Sequence, residues 1–168
     1  CPLMSILPGA VPVLSAAEDM DQEKWTRKNA PGVAAMTSQY SYNLYQQFQA
    51  AFPPDASAVL LQTADGRSYS YADAEAESAR LANFLTRLGA RTGDRVTVQV
   101  EKSPEALWLY LACLRAGLVY HPLNTAYQSA ELEYFLGDAK PVIVICGGDS
   151  AALLASLAER AGVPIEGP

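Results

Sequence analysis

Histidine and cysteine are scarce in this chain of 168 residues. It contains one histidine, His121, and three widely spaced cysteines with no CxxC pair. A Cys/His zinc site needs several such ligands at short spacing, and a disulfide framework needs an even set of cysteines, so the sequence predicts neither. Cys113 and Cys146 are therefore interpreted as small core hydrophobes of a protein that resides in the reducing cytoplasm.

Basic residues are outnumbered by acidic ones. The chain has 12 Lys and Arg against 18 Asp and Glu, which gives a formal net charge of −6. Binding to a nucleic-acid backbone needs a basic face, so we expect no nucleic-acid partner. No run of 18 or more apolar residues occurs, so no membrane span is expected. No Lys or Arg precedes Lys24, so the positively charged start of a signal peptide is missing.

The short motifs that bind phosphate or build a nucleophile are missing as well. The sequence has no GxGxxG after a strand, no GxxxxGK loop and no GxSxG elbow. Gly147-Gly148 follows an apolar run with only two glycines, which a plain turn explains. Because the chain has a single histidine, a Ser–His–Asp triad would have to use His121. The residues by themselves therefore assign no catalytic group.

Residues 1–35 differ in character from the rest of the chain. They hold four of the eleven prolines and show no sustained hydrophobic period, so we expect a disordered extension or upstream sequence read in frame. From Met36 onward the turn signals are regular, and 36–168 is expected to be the folded domain. The last residues, 163–168, resemble the beginning of a further strand, so the chain is expected to be a fragment.

From Met36 the hydrophobic pattern alternates between helix and strand. Repeated helix–strand units with short connections predict an α/β fold, with a mainly parallel sheet and helices on both faces. The expected elements are a helix over 42–52, a hairpin of 58–62 and 67–71 around Asp65-Gly66, a helix over 71–88, a strand over 95–100, a helix over 104–116, a strand over 118–120, a helix after Ser129, a strand over 142–146 and a helix over 150–161.

Three of these expectations concern which residues turn inward or begin a helix. The four-residue spacing of Leu44, Phe48 and Phe52 predicts the buried face of the first helix. In the strand over 95–100, valines alternate with polar residues, which predicts one buried and one exposed face. Polar residues that precede helices predict the N-caps, which are Ser70, Ser103 and Ser129.

Polar residues near the strand ends are the remaining candidates for a site. Lys102 follows the strand over 95–100, where ligands bind in open α/β sheets, so it could meet an anion or lie free in solvent. His121 could act as a base or ligand, or pack as an ordinary histidine, and the sequence offers it no second ligand. Asn124 is typical of a turn in which the side chain satisfies backbone groups.

One segment carries a resemblance to a known family. Residues 98–136 read VQVEKSPEALWLYLACLRAGLVYHPLNTAYQSAELEYFL. Together with GDAKPVIVI, which follows it, this segment resembles the N-terminal subdomain of adenylate-forming acyl-CoA synthetases, the AMP-binding enzyme superfamily, in its Gly turn, its PLN strand exit and its xELxYxLxDxxP helix. The GxxxGDRVxV pattern of 89–98 agrees, and the resemblance extends over 44–164. The residues of this segment are more similar to those of malonyl-CoA synthetases than to those of fatty-acyl, acetyl or coumaroyl ligases.

The match assigns few residues to a role. Tyr120, Pro122, Leu123 and Asn124 match the family motif without an assigned chemical role. One departure is His121, where the family pattern leads us to expect an aliphatic residue such as Leu. The phosphate loop and the catalytic lysine of the family are not in this chain. The resemblance therefore implies a truncated N-terminal α/β subdomain over 36–168, without catalytic residues or metal ligands of its own.

The resemblance also implies what the full-length parent does. It implies a ligase with ATP, Mg²⁺ and coenzyme A as cofactor and co-substrates, and malonate as the small-molecule carboxylate partner. A carboxylate would first form an acyl-adenylate, and the coenzyme A thiolate would then displace AMP. Two alternatives stay open: a fragment of another short-chain or aryl acyl-CoA ligase, and a non-catalytic α/β interaction module. The oligomeric state is not predicted.

Limited proteolysis tests the expected boundary near Met36. Because a disordered extension is cut before a packed domain, we expect residues 1–35 to be removed first and the product to begin near Met36. N-terminal sequencing of the product measures this. Protection of Trp25 from cleavage would contradict the boundary.

Overall fold

The computed structural model of the protein describes residues 43–160. In chain order these residues form α1 Leu44–Ala50, β1 Val59–Gln62, β2 Ser68–Ser70, α2 Tyr71–Arg87, β3 Arg95–Gln99, α3 Pro104–Ala116, β4 Val119–Pro122, α4 Ser129–Ala139, β5 Ile143–Cys146, a 3₁₀ turn Gly148–Ser150 and α5 Ala151–Arg160. Among these helices, none combines the length and the apolar character that crossing a membrane requires. The predictions for 1–35, Tyr42 and 163–168 lie outside the described residues.

The described strands form one parallel sheet and one separate hairpin. β3 lies between β4 and β5 and pairs in parallel with both, so Val96 lies beside Tyr120 on one side and Ile143 on the other. β1 and β2 pair antiparallel around Asp65-Gly66. The predicted α/β class, the parallel sheet and the hairpin are confirmed.

Helices cover both faces of this sheet and divide the interior into two clusters. On one face α2 packs against α3, over a cluster that includes Val96 and Val98. On the other face α4 packs against α5, over a cluster that includes Val144 and Cys146. Successive residues of a strand point to opposite faces. The sheet therefore separates two hydrophobic clusters, each covered by a pair of helices. This confirms the prediction of helices on both faces.

The expectation that β3 has one exposed face is wrong. Val96 and Thr97 are fully buried, and Val98 and Gln99 are each 2% exposed. An alternating pattern leaves its polar residues in solvent only when that face of the sheet is open, whereas here α4 and α5 cover it. Thr97 and Gln99 therefore need hydrogen-bond partners inside the protein.

Local signals set the ends of the helices on the α2–α3 side. Ser70 and Asp73 form the reciprocal capping box that opens α2, with Ser70 Oγ accepting from the Asp73 N–H at 3.1 Å. Ser103 caps α3, and Pro104 occupies its first turn, where a missing N–H costs nothing. Gly117 ends α3 with a φ of 69°, a left-handed conformation that favours glycine. These predictions are confirmed.

The prediction that Ser129 caps α4 is wrong by one residue. Ser129 is the first residue of the helix, and the N-cap is Gln128. The backbone N–H of Gln128 donates to the Glu131 carboxylate at 2.7 Å. Because Glu131 stands three residues after the cap, its carboxylate satisfies that N–H and shifts the start of the helix one residue toward the N-terminus.

α1 turns a different face inward from the one predicted. Leu44 and Phe48 are 41% and 38% exposed, and the helix ends at Ala50, before Phe52. The buried residue is Tyr45, one position after Leu44. In a helix of two turns, one anchored side chain decides the rotation about the axis. The apolar spacing predicted the helix correctly but not its orientation.

An ion pair between α2 and α3 holds Tyr45. Arg115 Nη1 lies 2.8 Å from Glu75 Oε1 and donates to the Tyr45 hydroxyl at 2.5 Å. The guanidinium carbon lies 4.8 Å from the centroid of the Tyr45 ring. Burial raises the pKa of Tyr45, and its hydrogen bond to Glu75 raises it further, so the hydroxyl stays protonated at neutral pH. We call these three side chains the Arg115 cluster.

Replacing Arg115 with Met tests the Arg115 cluster. The substitution leaves the partly buried Glu75 carboxylate without its cation, so we expect the free energy of unfolding to fall by about 2–3 kcal/mol. The matched change Arg80→Met breaks an exposed ion pair with Glu77 and is expected to cost less than about 1 kcal/mol. Urea unfolding followed by tryptophan fluorescence measures both variants. Equal losses would contradict this account.

Candidate functional site

The three parallel strands end at one edge of the sheet, and three loops lie there. These are residues 100–103 after β3, 123–128 after β4 and 147–150 after β5. The first loop leads to α3 on one face, whereas the second leads to α4 on the opposite face. Adjacent strands whose loops leave toward opposite faces create a crevice, and ligands of open α/β sheets bind in such crevices. We therefore take this carboxyl edge as the candidate site.

Gln99 ends β3 and bonds to both of the other loops. Its side-chain Nε2 donates to the backbone oxygen of Asn124 at 2.9 Å. Its backbone oxygen accepts from the Gly147 N–H at 3.1 Å. The side-chain Oε1 is buried and accepts no hydrogen bond from any residue in the described part of the chain. A buried amide with one unpaired half is uncommon in folded proteins.

Asn124 shapes the loop after β4. Its Oδ1 accepts from the Ala126 N–H at 2.9 Å. Its backbone oxygen accepts from the Tyr127 N–H at 3.1 Å, in addition to the bond from Gln99. The asparagine thus performs the local turn role expected from its position after the strand.

Below this edge, Thr97 and His121 form a pair between β3 and β4. Thr97 Oγ1 lies 2.9 Å from His121 Nδ1. Thr97 is fully buried and His121 is half-buried. The Phe135 ring on α4 stands edge-on to the imidazole, with 6.2 Å between centroids. The pair satisfies a buried hydroxyl within the sheet, so the structure supports the packing interpretation of His121.

The four residues of the family motif do not share one surface. Tyr120 packs on the α2–α3 side, where its ring meets Tyr110 at 5.3 Å and burial raises the pKa of its hydroxyl. Leu123 is buried on the α4–α5 side, and Pro122 is exposed at the end of β4. Of the four, Asn124 is the one that contacts Gln99 at the carboxyl edge.

The candidate edge carries little positive charge. Lys102 lies exposed in the loop after β3, next to Glu101, and the other two edge loops contain no Lys or Arg. An anion-binding role for Lys102 stays a prediction. Residues 43–160 also contain no group of three or more His, Cys, Asp or Glu that could hold a metal ion. The described residues therefore do not fit a triphosphate with its Mg²⁺.

Thr97 and Gln99 are the residues of this region that the sequence analysis missed. Their alternation with valines was interpreted as a solvent-facing side. The alternation of helices and strands is a better guide to the burial of β3. In a parallel sheet with helices on both faces, a central strand is covered on both sides, so its polar residues are buried too. Polar residues in such a strand must be hydrogen-bonded, and this marks them as positions with a specific partner.

The two cysteines of the described region are inert. Cys113 and Cys146 are both buried and free, which confirms their prediction as core residues. Burial raises the pKa of the Cys113 thiol to about 12 and that of the Cys146 thiol to about 11. Because the thiolate is the reactive form, neither group is a nucleophile at neutral pH.

The chain matches a known family over most of its length. Residues 46–166 match the AMP-binding enzyme family. The chain belongs to that family. Among solved structures, ATP-bound MatB from Rhodopseudomonas palustris superposes with a TM-score of 0.68 at 44% identity, covering 74% of this chain and 24% of that one. The family resemblance and the fold expected from it are confirmed.

Two further proteins show how the similarity is distributed. The anthranilate CoA ligase AuaEII, in complex with anthranoyl-AMP, has a TM-score of 0.65 at 25% identity, covering 73% of this chain and 23% of that one. The acetyl-coenzyme A synthetase of Deinococcus radiodurans is 29% identical over 165 residues, which is 84% of this chain and 25% of that protein. The chain spans a quarter or less of the relatives named here.

A double-mutant cycle tests the packing role of His121. His121→Leu leaves the buried Thr97 hydroxyl without a partner, so we expect a loss of about 1–2 kcal/mol in the free energy of unfolding. Thr97→Val is expected to cost less, because the half-buried imidazole can turn to water. The double variant replaces both partners with apolar groups and is expected to recover most of the loss. Urea unfolding measures the cycle, and strictly additive losses would contradict a direct pair.

Proposed function

We propose that the full-length protein carrying this chain is an ATP-dependent malonate–CoA ligase. The observation that carries the proposal is the 44% identity to MatB, a malonyl-CoA synthetase, against 25% for the anthranilate ligase and 29% for the acetyl-CoA synthetase. The proposed reaction converts malonate, ATP and coenzyme A into malonyl-CoA, AMP and pyrophosphate. The buried free thiols suit a reducing compartment, so we include a cytoplasmic location in the proposal.

The role proposed for this chain is structural. Adenylation spreads negative charge over the phosphates of ATP and demands cations and oriented donors. The edge loops of residues 43–160 offer Lys102 alone as a cation, with no metal-ligand group. We therefore assign no catalytic residue to the described part of the chain. Residues 36–168 would form part of an N-terminal subdomain whose carboxyl edge contributes to a site completed by the rest of the parent.

Two other candidate functions have specific support. A ligase for another short-chain or aryl acid is supported by the similarity to the anthranilate CoA ligase. A non-catalytic α/β interaction module is supported by the sheet itself, because β4 and β5 have no further strand beside them among the described residues. Val119 on β4 is 47% exposed, and unpaired strands of this kind can add a strand from a partner.

Pyrophosphate release by the full-length protein separates the three candidates. We expect malonate-dependent release of pyrophosphate from ATP and formation of malonyl-CoA, with kcat/KM for malonate at least about 100-fold above that for acetate, octanoate or anthranilate. A coupled pyrophosphate assay and mass spectrometry of the CoA products measure this. The 168-residue chain assayed alone is the matched control and is expected to release none.

Each contrary outcome points to a different alternative. A preference for an aryl or short-chain monocarboxylic acid would show that malonate is not the substrate, and the proposal of a CoA ligase would stand with that acid instead. Absence of carboxylate-dependent pyrophosphate release with all four acids would overturn the ligase and favour the interaction module.

A further inference from the structure

A cavity of about 290 Å³ lies between α2 and α3, beside β2. Its apolar lining comes from Tyr69, Leu81 and Trp108. Leu81 and Trp108 are each 2% exposed, and the Tyr69 ring stands edge-on to the indole, with 5.8 Å between centroids. Pockets for small molecules usually measure about 300–1,000 Å³. This cavity therefore suits one side chain or a small molecule of similar size.

The charged lining of the cavity is mostly acidic. Asp73 and Glu77 on α2 face it together with Glu105 on α3, against one cation, Arg80. The Arg80 guanidinium donates twice to Glu77 Oε2, at 3.0 and 2.7 Å. Asp73 is held in place by Ser70, whose N–H and hydroxyl both donate to Oδ2 at 2.7 Å. The lining thus carries two negative charges in excess, so the cavity favours a cation.

Glu105 has no cation paired with it among residues 43–160. It is half-buried in the first turn of α3 and forms no ion pair with a described residue. The charge of Arg67 reaches it, but the Arg67 guanidinium pairs with Asp65 at 2.8 Å. The positive end of the helix dipole stabilises Glu105 where it stands. Its carboxylate is therefore fixed in the fold and available to a ligand.

Trp108 adds an unpaired hydrogen-bond donor to the lining. Its indole N–H donates to no residue in the part of the chain that the structure describes, and it is not among the enclosed unpaired atoms of that part. The N–H therefore has access to open space, which the cavity provides. Because a largely buried indole N–H usually has an acceptor, a ligand that fills the cavity needs an acceptor oxygen as well as a cation.

The cation that fits is an organic one and not a metal ion. Residues 43–160 hold no group of three or more His, Cys, Asp or Glu that could bind a metal, so the three carboxylates of the cavity do not converge on one point. An aliphatic ammonium suits such a spread, because its three N–H donors point in separate directions. Its methylene stem can pack on the apolar lining while the charge stays at the carboxylates.

We propose that this cavity binds a lysine side chain presented by a peptide segment of another protein. The ammonium lies among Asp73, Glu77 and Glu105, and the methylenes pack against Leu81 and Trp108. A backbone carbonyl of the peptide accepts from the Trp108 N–H. This carbonyl distinguishes a peptide from a free aliphatic amine, which offers the ammonium alone. The inference concerns a protein-binding site and does not rest on the proposed ligase function.

Tryptophan fluorescence of the 168-residue chain measures the binding. Trp25→Phe leaves Trp108 as the only tryptophan. The probes, titrated at constant ionic strength, are N-acetyl-lysine methylamide, its norleucine analogue without the ammonium, and 1,5-diaminopentane without the carbonyl. We expect the lysine probe to saturate with a Kd of about 1–5 mM and the other two to bind at least about 10-fold more weakly. No saturation by the lysine probe below about 50 mM, or equal binding by either analogue, would overturn the proposal.

Two substitutions that remove the same charge locate the site. Glu105→Gln neutralises the carboxylate on α3, and we expect it to weaken binding of the lysine probe about 5- to 20-fold. Glu101→Gln is the matched control, because Glu101 is exposed in the loop before α3 and does not line the cavity. The control is expected to stay within about twofold of the parent chain. Equal weakening in both variants would show attraction by net charge alone, and the proposed site would be wrong.

The indole proton signal of Trp108 decides the contact if Glu105→Gln does not fold. In ¹H–¹⁵N spectra of the wild-type chain, we expect the lysine probe to move this signal downfield, because the N–H gains a carbonyl acceptor. We expect 1,5-diaminopentane to leave the signal in place. An indole signal that stays in place at saturating lysine probe, or that moves equally with the diamine, would contradict binding of a peptide in this cavity.

Discussion

The central strand of the sheet is buried on both faces, and the rest of the structure depends on this constraint. When a strand is covered on one face only, its polar side chains can point to solvent on the other face. β3 is covered on both faces, so Thr97 and Gln99 lie in the interior. Each of these side chains must find a partner, because a buried unpaired polar group destabilises the fold. Thr97 bonds to His121 on β4, and Gln99 bonds to the loop that follows β4. Both bonds hold the neighbouring strand in register.

The helical layers on the two faces are stabilised in different ways. On the α4–α5 side, the cluster consists of apolar residues such as Leu132, Leu136 and Leu154. On the α2–α3 side, the apolar cluster is joined by the Arg115 cluster, which fastens α1 to both helices. A polar attachment of this kind fixes rotation more strictly than apolar contact does, because a charge-assisted hydrogen bond requires direction as well as proximity. α1 has seven residues and a single buried side chain, Tyr45, so this directional hydrogen bond determines which face of the helix turns inward.

Sequence reasoning succeeded where the determining residues are close in the chain. The capping box of Ser70 and Asp73 and the left-handed Gly117 each act within a few residues, so their positions were predictable. The inward rotation of Tyr45 was not, because it depends on Arg115, 70 positions away. Gln99 was missed for the same reason, since its role exists only once β3 and β4 are aligned. Asn124, the other partner in that contact, was predictable, because its side chain bonds within its own turn.

Chemical activity and fold specification are separable in such a chain. The three edge loops contain one Lys or Arg, Lys102, so they offer little positive charge with which to neutralise a phosphate group. The position of loop 123–128 can still be fixed, because the buried Gln99 amide holds its backbone by a hydrogen bond and carries no net charge. Positioning by a neutral amide also avoids burying an ion whose desolvation would oppose folding. The carboxyl edge can therefore hold its loops in place without burying a charge of its own.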